Sequence, residues 1–247
     1  MLLWFIAYAL LLTVVLALAG HRSRQASTTS AGSGTPPKRV LIVGATGGTG
    51  RQLVSQALER GYDVTALVRD RSRLAIEHAR LTVVQGDVMK PGDADAAVRG
   101  QDAVVSALGH KRFFYPNRIL SSGTRNVLAA MRTHGVRRFV CETSLGLGDS
   151  AGRMGLYYTL FVVPVILPFY FWDKARQERV IASSGVDWII VRSAALTNGA
   201  PTGRARHGGA VGSYLWTRSV SRADVAAFML DQLTSDAYRG VAVGVRG

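Results

Sequence analysis

Three glycines in "GATGGTG", Gly44, Gly47 and Gly50, recur every third residue between the apolar run "RVLIV" and the helically spaced run "RQLVSQALERG". A turn in that place has a chemical use. Gly44 permits a sharp exit from a strand, Gly47 lets the backbone approach a ligand, and Gly50 lets a helix pack closely on the strand. The helix N-terminus then offers unbonded N–H groups to an anion. The ligand this favours is a pyrophosphate, with the Thr46 and Thr49 hydroxyls as further donors.

The end of the next strand, "ALVRDRSR", holds Arg69, Arg71 and Arg73 where a carboxylate would otherwise take the hydroxyls of an adenosine ribose. Arginine forks match a phosphate dianion, so the residues favour the 2′-phosphate of NADP(H). Asp70 follows Arg69 directly and keeps NAD(H) possible. Asp87, in "GDV" after a third strand, is placed to reach an adenine amino group or to form a turn. His110, Lys111 and Arg112 follow a fourth strand and read either as binders of an anionic substrate group or as a solvated basic loop.

These residues need a scaffold that presents strand ends and helix starts on one edge. The pattern supplies it. Strands are expected at 39–44, 63–69, 81–87, 102–109, 137–144, 186–192 and 240–245, and helices at 50–61, 121–135, 174–185 and 221–233. Strands alternating with helices of this length imply an α/β fold with a doubly wound parallel sheet, Rossmann-like, over residues 38–247. No His/Cys/Asp/Glu cluster has metal-ligand spacing, so no metal is expected. The single Cys141 excludes an internal disulfide and reads as a small apolar residue inside a strand.

Two apolar stretches stand apart. Residues 1–19 carry no charge and are followed by "HRSR", which reads as an N-terminal transmembrane anchor over 1–20, with a cleaved signal peptide as its rival. By the positive-inside tendency the rest of the chain then lies on the cytoplasmic side, joined through a flexible linker at 21–37. Residues 154–172 are also uncharged, but a single span there would put the strands at 137–144 and 186–192 on opposite sides of a membrane, where they could not share a sheet. This stretch is therefore core packed over the sheet, or an apolar lid that forms a pocket for a lipophilic or aromatic molecule.

Thirty Lys and Arg against sixteen Asp and Glu give a formal charge of +14, which favours anionic partners. The arginines are scattered and not interleaved with aromatics, so nucleic acid is not expected as a partner.

Taken together, "GATGGTG", "ALVRDRSRL", "VVQGDV", "GQDAVVSALG", "GTRNVLAAMRTHGVRRFV" and "SGVDWIIVRSAAL" resemble the atypical short-chain dehydrogenases of the NAD(P)-binding, NmrA-like group, and among them the flavin reductases, or biliverdin-IXβ reductases. The likeness covers nearly all of 38–247. It implies that Thr46, Gly47, Gly48 and Thr49 bind the pyrophosphate, that Arg69 and Arg73 bind the 2′-phosphate, and that Asp87 and Val88 flank the adenine. It also implies that Ala107, Leu108 and Gly109 run beside the ribose and that Ser144 lies near the nicotinamide.

Tyr170 and Lys174 have the spacing by which conventional short-chain dehydrogenases set a Tyr acid and a Lys on one helical face. In so aromatic a stretch the pair also reads as coincidence, and flavin reductases work without it. Asp173 and Glu178 read as helix capping and surface pairing. The expected activity is NADP(H)-dependent reduction of a small aromatic or lipophilic acceptor such as a flavin, quinone or carbonyl. The alternative is a non-catalytic NADP(H)-binding redox sensor or assembly factor. An epimerase or dehydratase would need a reliable Tyr/Lys pair and a sugar-nucleotide site.

Overall fold

The structure is a computed structural model and describes residues 1–20 and 36–247. The linker expected at 21–37 lies mostly outside the described residues.

The β-branched runs form strands, and those inside the sheet are buried on both faces, as a central parallel sheet requires, while the edges at Leu81–Gln85 and Arg206–Gly208 are not. β1 (Arg39–Val43), β2 (Asp63–Val68), β3 (Leu81–Gln85), β4 (Ala103–Ser106), β5 (Arg138–Ser144) and β6 (Asp187–Ser193) pair in parallel, and β10 (Ala242–Arg246) adds beside β6. The short β8 (Arg206–Gly208) closes the edge antiparallel to β10. The order is β3-β2-β1-β4-β5-β6-β10-β8, while β7 (Leu196–Thr197) and β9 (Val220–Ser221) form a separate pair. The strand order reverses between β1 and β4, which opens a crevice at their carboxyl ends, the place where doubly wound sheets take ligands.

Alternation along the strands divides the core. Val40 and Ile42 face a layer containing Leu53, Val54 and Ala57 of α2 (Gly48–Glu59) and Val225, Ala226 and Met229 of α6 (Arg222–Asp231). Leu41 and Val43 face the other layer, with Ala94 and Val98 of α3 (Pro91–Val98) and Val127, Leu128 and Met131 of α4 (Ile119–Thr133). Helix α5 (Pro168–Ala182) lies beside α4 and begins on Pro168, whose fixed φ and missing N–H suit a first helical position. Helix α3 and strands β7, β8 and β9 are not in the sequence reading. All are short, and none carries a strong period.

Strands β5 and β6 pair from Arg138↔Asp187 to Ser144↔Ser193, so residues 154–172 do not part them. Tyr158–Ile166 instead forms a π-helix with Pro164 inside it. Val163 and Pro164 turn inward, while Leu156, Tyr157, Phe161 and Val165 remain exposed.

The expected transmembrane anchor is overturned. Residues Leu2–Ala19 do form a helix, α1, but among the described residues no helix is long and apolar enough to cross a membrane. At 1.5 Å per residue, eighteen residues reach about 27 Å, short of a hydrocarbon core of roughly 30 Å. The apolar run has a partner in its own chain: α1 packs along the π-helix, burying Ala9 and Leu16, and the Tyr8 hydroxyl donates to the Pro164 carbonyl at 3.3 Å. The membrane-anchored, cytoplasm-facing placement rested on that span and falls with it.

Candidate functional site

The glycine turn has the shape its spacing calls for. Gly44 adopts φ +84°, and a Cβ there would lie 2.5 Å from the Ala107 carbonyl oxygen; a Cβ at Gly50 would lie 2.0 Å from the Gly44 oxygen. Neither contact can be relieved, because both neighbours are backbone. Gly47 is the N-cap of α2 and supplies no side-chain cap, so the first N–H groups of the helix stay free for an anion. The backbone of Ala107 and Leu108 passes directly over Gly44 of this turn.

Thr46 is half-buried beside the turn, whereas the Thr49 hydroxyl is committed to Glu142 Oε1 at 3.4 Å, so its backbone N–H is what remains for a phosphate. Gly48 is flanked by a residue absent from the sequence reading. The Arg222 side chain, at the start of α6, lies over it so closely that a Cβ would meet Arg222 Cδ at 2.5 Å, and its Nη1 donates to Asn198 Oδ1 at 2.7 Å. The signal was a lone arginine some 170 residues from the turn, invisible until the chain folds.

At the end of β2, Arg69, Arg71 and Arg73 are exposed. Asp70 bonds within its own loop: its Oδ1 accepts from the Ser72 N–H at 3.0 Å and the Ser72 hydroxyl at 2.7 Å, and these bonds hold its carboxyl below the ordinary range. Arg71 donates to the Val83 carbonyl at 2.5 Å. Arg51 of α2 donates to the Arg73 carbonyl at 3.0 Å, which brings a further guanidinium to this edge. Asp87 closes a turn by accepting the Met89 N–H at 3.0 Å through Oδ1. The Val88 side chain is packed against Gly123 of α4, and its carbonyl accepts from Asn126 at 2.9 Å. Val88 can therefore meet an adenine only through its backbone.

Across the crevice stands an aromatic cluster. Tyr170, on the first turn of α5, meets His110 edge-on at 5.0 Å between ring centroids and Phe113 at 5.7 Å. Its hydroxyl oxygen would be 3.6 Å from a Cβ placed on Gly109, so the phenol sits at the end of β4 beside the turn. Lys174 lies one helical turn on, with Nζ 5.3 Å from the Tyr170 ring centre and 3.3 Å from the Glu142 carbonyl oxygen, to which it donates. Burial works against the Lys174 charge, but Tyr170, Cys141 and Glu142 outweigh it and hold the ammonium above its ordinary value. Burial raises the Glu142 carboxyl.

His110 Nδ1 accepts the Arg112 N–H at 3.1 Å, which leaves the ring proton on Nε2. That Nε2 is buried without a partner among the described residues. Burial lowers the His110 pKa, and the charges of Lys174 and Arg112 act the same way against Asp173. Lys111 and Arg112 themselves are exposed. Ser144, at the end of β5, is half-buried with its hydroxyl 3.9 Å from Met154 Sδ. The structure thus gathers Tyr170, Lys174 and Gly109 and adds His110 and Phe113, while Ser144 contacts Met154.

Of the capping and surface pairing read for Asp173 and Glu178, only the capping by Asp173 is found, and on another helix; both side chains are fully buried and neither pairs at the surface. Asp173 caps the start of α4, accepting from the N–H groups of Leu120 at 2.8 Å and Ser121 at 3.3 Å. Glu178 takes a two-pronged bond from Arg192 of β6, at 3.0 and 2.8 Å, and one from the Thr143 hydroxyl at 2.8 Å. Cys141 is the buried strand residue its setting promised.

The profile of a family described as NAD(P)H-binding matches residues 44–236, from the glycine turn to beyond α6. The chain belongs to that family. It is similar to a 3-diazoavenalumate denitrifying reductase of Streptomyces sp, at 33% identity over 187 residues, 69% of this chain and 60% of that protein. It is equally similar to the photosystem II assembly factor Ycf39 of Synechocystis sp., at 33% over 164 residues, 65% of this chain and 46% of that protein. The chain thus spans about half to three-fifths of the length of these relatives.

Among solved structures, a short-chain dehydrogenase/reductase of Veillonella parvula in complex with NADP superposes with a TM-score of 0.73 at 20% identity, covering 85% of this chain and 95% of that one. The reductase ChuY of Escherichia coli O157:H7, described as an anaerobillin reductase, gives 0.70 at 23%, covering 84% and 96%. At such identities the likeness establishes the fold.

Proposed function

We propose that this family member is an NADP(H)-dependent reductase of a flat, aromatic or lipophilic acceptor. The observation that carries the reading is the placement of the Tyr170 hydroxyl beside Gly109, backed by a buried ammonium one turn away, at the crevice where the glycine turn ends.

The residues fit a dinucleotide. Gly44 and Gly50 leave a cradle that any Cβ would fill, and the free N–H groups of α2 with Arg222 supply donors for a pyrophosphate. Arg51, Arg69 and Arg73 offer guanidinium groups for a 2′-phosphate, and Asp70 Oδ1 is taken up by Ser72, which supports a phosphate over a ribose diol at this edge. A bound dinucleotide would supply the hydride.

The chain's own part is to hold the acceptor and move a proton. His110, Phe113 and Tyr170 form an aromatic wall against which a planar acceptor stacks. Tyr170 donates a proton to the acceptor's heteroatom, and the Lys174 ammonium stabilises the phenolate left behind.

The test is NADPH oxidation by the full chain with flavin, quinone and aryl ketone acceptors, compared with Tyr170→Phe. Loss of one positioned proton donor lowers kcat by about 100- to 10,000-fold with ketones. Unchanged turnover in the variant would remove Tyr170 from the chemistry. A second reading is favoured by the likeness to an assembly factor: the chain binds NADP(H) and passes its redox state to a partner. It requires NADPH binding without consumption by any acceptor.

A further inference from the structure

The outer faces of α4 and α5 carry arginines and no exposed carboxylate. Asp173 of α5 bonds the first turn of α4, so the two helices start side by side and their outward rows fall into step. Between them runs a groove of about 410 Å³ lined by Arg118, Arg125, Arg176 and Arg179 together with Ser121 and Ser183. The two acids of these helices are buried and spent elsewhere, Asp173 on the α4 N–H groups and Glu178 on Arg192. The guanidinium groups of Arg118, Arg125 and Arg179 have no hydrogen-bond or ion-pair partner among the described residues, and Arg176 rests over the Trp172 ring at 5.4 Å.

We propose that this groove is a binding site for clustered phosphates, carried either on a free polyphosphate-type molecule or on a phosphorylated headgroup. Four like charges around one groove call for a counter-charge of comparable density, and within about 410 Å³ only several phosphates on one small ligand supply it. The volume lies within the roughly 300–1,000 Å³ of small-molecule sites. Guanidinium forks match phosphate oxygens two at a time, and they carry the site alone, because the serine hydroxyls are spent inside the fold, Ser121 on Asp173 and Ser183 on the Arg179 and Val180 carbonyls.

Other occupants fit less well. Residues 21–35 contain no Asp or Glu, so that segment of the chain offers nothing to neutralise the groove. A second copy docked by two-fold symmetry would set the same arginines against each other. The groove lies on the α3–α5 side of the sheet, whereas the free N–H groups of the dinucleotide turn belong to α2 on the other side, so the proposal stands apart from the reductase reading.

Calorimetric titration of the full chain with tripolyphosphate, pyrophosphate and inorganic phosphate tests it, alongside Arg125→Glu/Arg179→Glu and Arg69→Ala/Arg73→Ala. With saturating NADPH filling the dinucleotide crevice, one tripolyphosphate is expected per chain, with affinity falling toward inorganic phosphate and weakening with salt. Reversal at Arg125 and Arg179 should cost about tenfold or more in affinity, since each charge-assisted bond lost is worth roughly that much. The thermal midpoint of that variant should stay put, both side chains being exposed and unpartnered. The Arg69/Arg73 variant should keep this binding event, any phosphate it loses being the one that NADPH displaces from the parent. Vesicles of phosphatidylcholine with and without a phosphoinositide distinguish the sources: capture that tripolyphosphate competes away assigns the headgroup, and binding of the soluble probe alone assigns the free ligand. Equal binding by the Arg125/Arg179 variant, loss in the Arg69/Arg73 variant instead, tighter binding of an oligoglutamate peptide, or no binding of any probe would overturn the proposal.

Discussion

Arg192→Met should destabilise the protein by about 3–5 kcal/mol, because it removes one member of a buried ion pair and strands the other. Arg192 is 1% exposed and Glu178 fully buried, and the pair is joined by two bonds, from Nε at 3.0 Å and from Nη2 at 2.8 Å. With the arginine gone, the Thr143 hydroxyl at 2.8 Å is the remaining donor to Glu178. Asp149, which also bonds Arg192, has a side chain 38% exposed and would turn to water at little cost. The lost energy is a large part of the 5–15 kcal/mol that holds a typical domain together.

Urea unfolding of the parent, Arg192→Met, Glu178→Leu and the double variant closes a cycle. Each single change should cost several kcal/mol, and the double variant should recover most of it, since an apolar pair of similar volume commonly replaces a buried ion pair without loss. Glu178 lies one turn beyond Lys174 on α5, so the pair also clamps to β6 the helix that carries Tyr170. Activity of the single variants should fall even where they remain folded. A loss under about 1 kcal/mol for Arg192→Met, or a double variant as unstable as the sum of the singles, would refute a buried pair as the clamp.

Gly50→Ala should fold poorly or lose dinucleotide binding, because its Cβ would lie 2.0 Å from the Gly44 oxygen; NADPH titration and thermal unfolding together read the outcome. Cys141, whose thiol burial pushes up to about 12, should resist iodoacetamide in the native protein and react in urea, with mass spectrometry as the readout. Burial raises the Asp224 carboxyl, but bonds from Ser221, Gly203 and Thr202 outweigh it and hold the group below its ordinary value. A depressed native pKa contributes stability that is full above the unfolded value of about 3.9 and is lost as pH falls through the native value. Asp224→Asn should therefore be less stable than the parent at neutral pH, and the difference should shrink in acid unfolding below about pH 4.

The sheet was legible because its strands are short β-branched runs bounded by glycine or charge, and because the helices between them have apolar faces of ordinary period. The first and last glycines of the turn were legible for a stricter reason: Gly44 and Gly50 meet backbone, which no substitution on the partner side could relieve. Charge on α5 was misread. Asp173 adjoins Lys174, and Glu178 lies four residues from Lys174 and one from Arg179, which looks like surface pairing, yet their partners are the N–H groups of Leu120 and Ser121 and the side chain of Arg192. Burial of a carboxylate depends on what another element brings to it, and that is not written in its own helix.

The same reason separates the first apolar stretch from its reading as a membrane anchor. Hydropathy measures how much a segment gains by leaving water, not which surface it leaves for. Residues 1–19 and 154–167 are each too apolar for an ordinary surface helix, and each supplies part of what the other needs: α1 covers one side of the π-helix, and Tyr8 takes up the Pro164 carbonyl. A proline inside a helix frees a carbonyl one turn before it and obliges the chain to widen or kink. The π-helix is the form that obligation takes here, and it sets Pro168 at the start of a fresh helix with Tyr170 and Lys174 one turn apart. The spacing of that pair was visible in the sequence. Its meaning depended on Gly109 and His110 arriving beside Tyr170, which only the parallel placement of β4 and β5 secures.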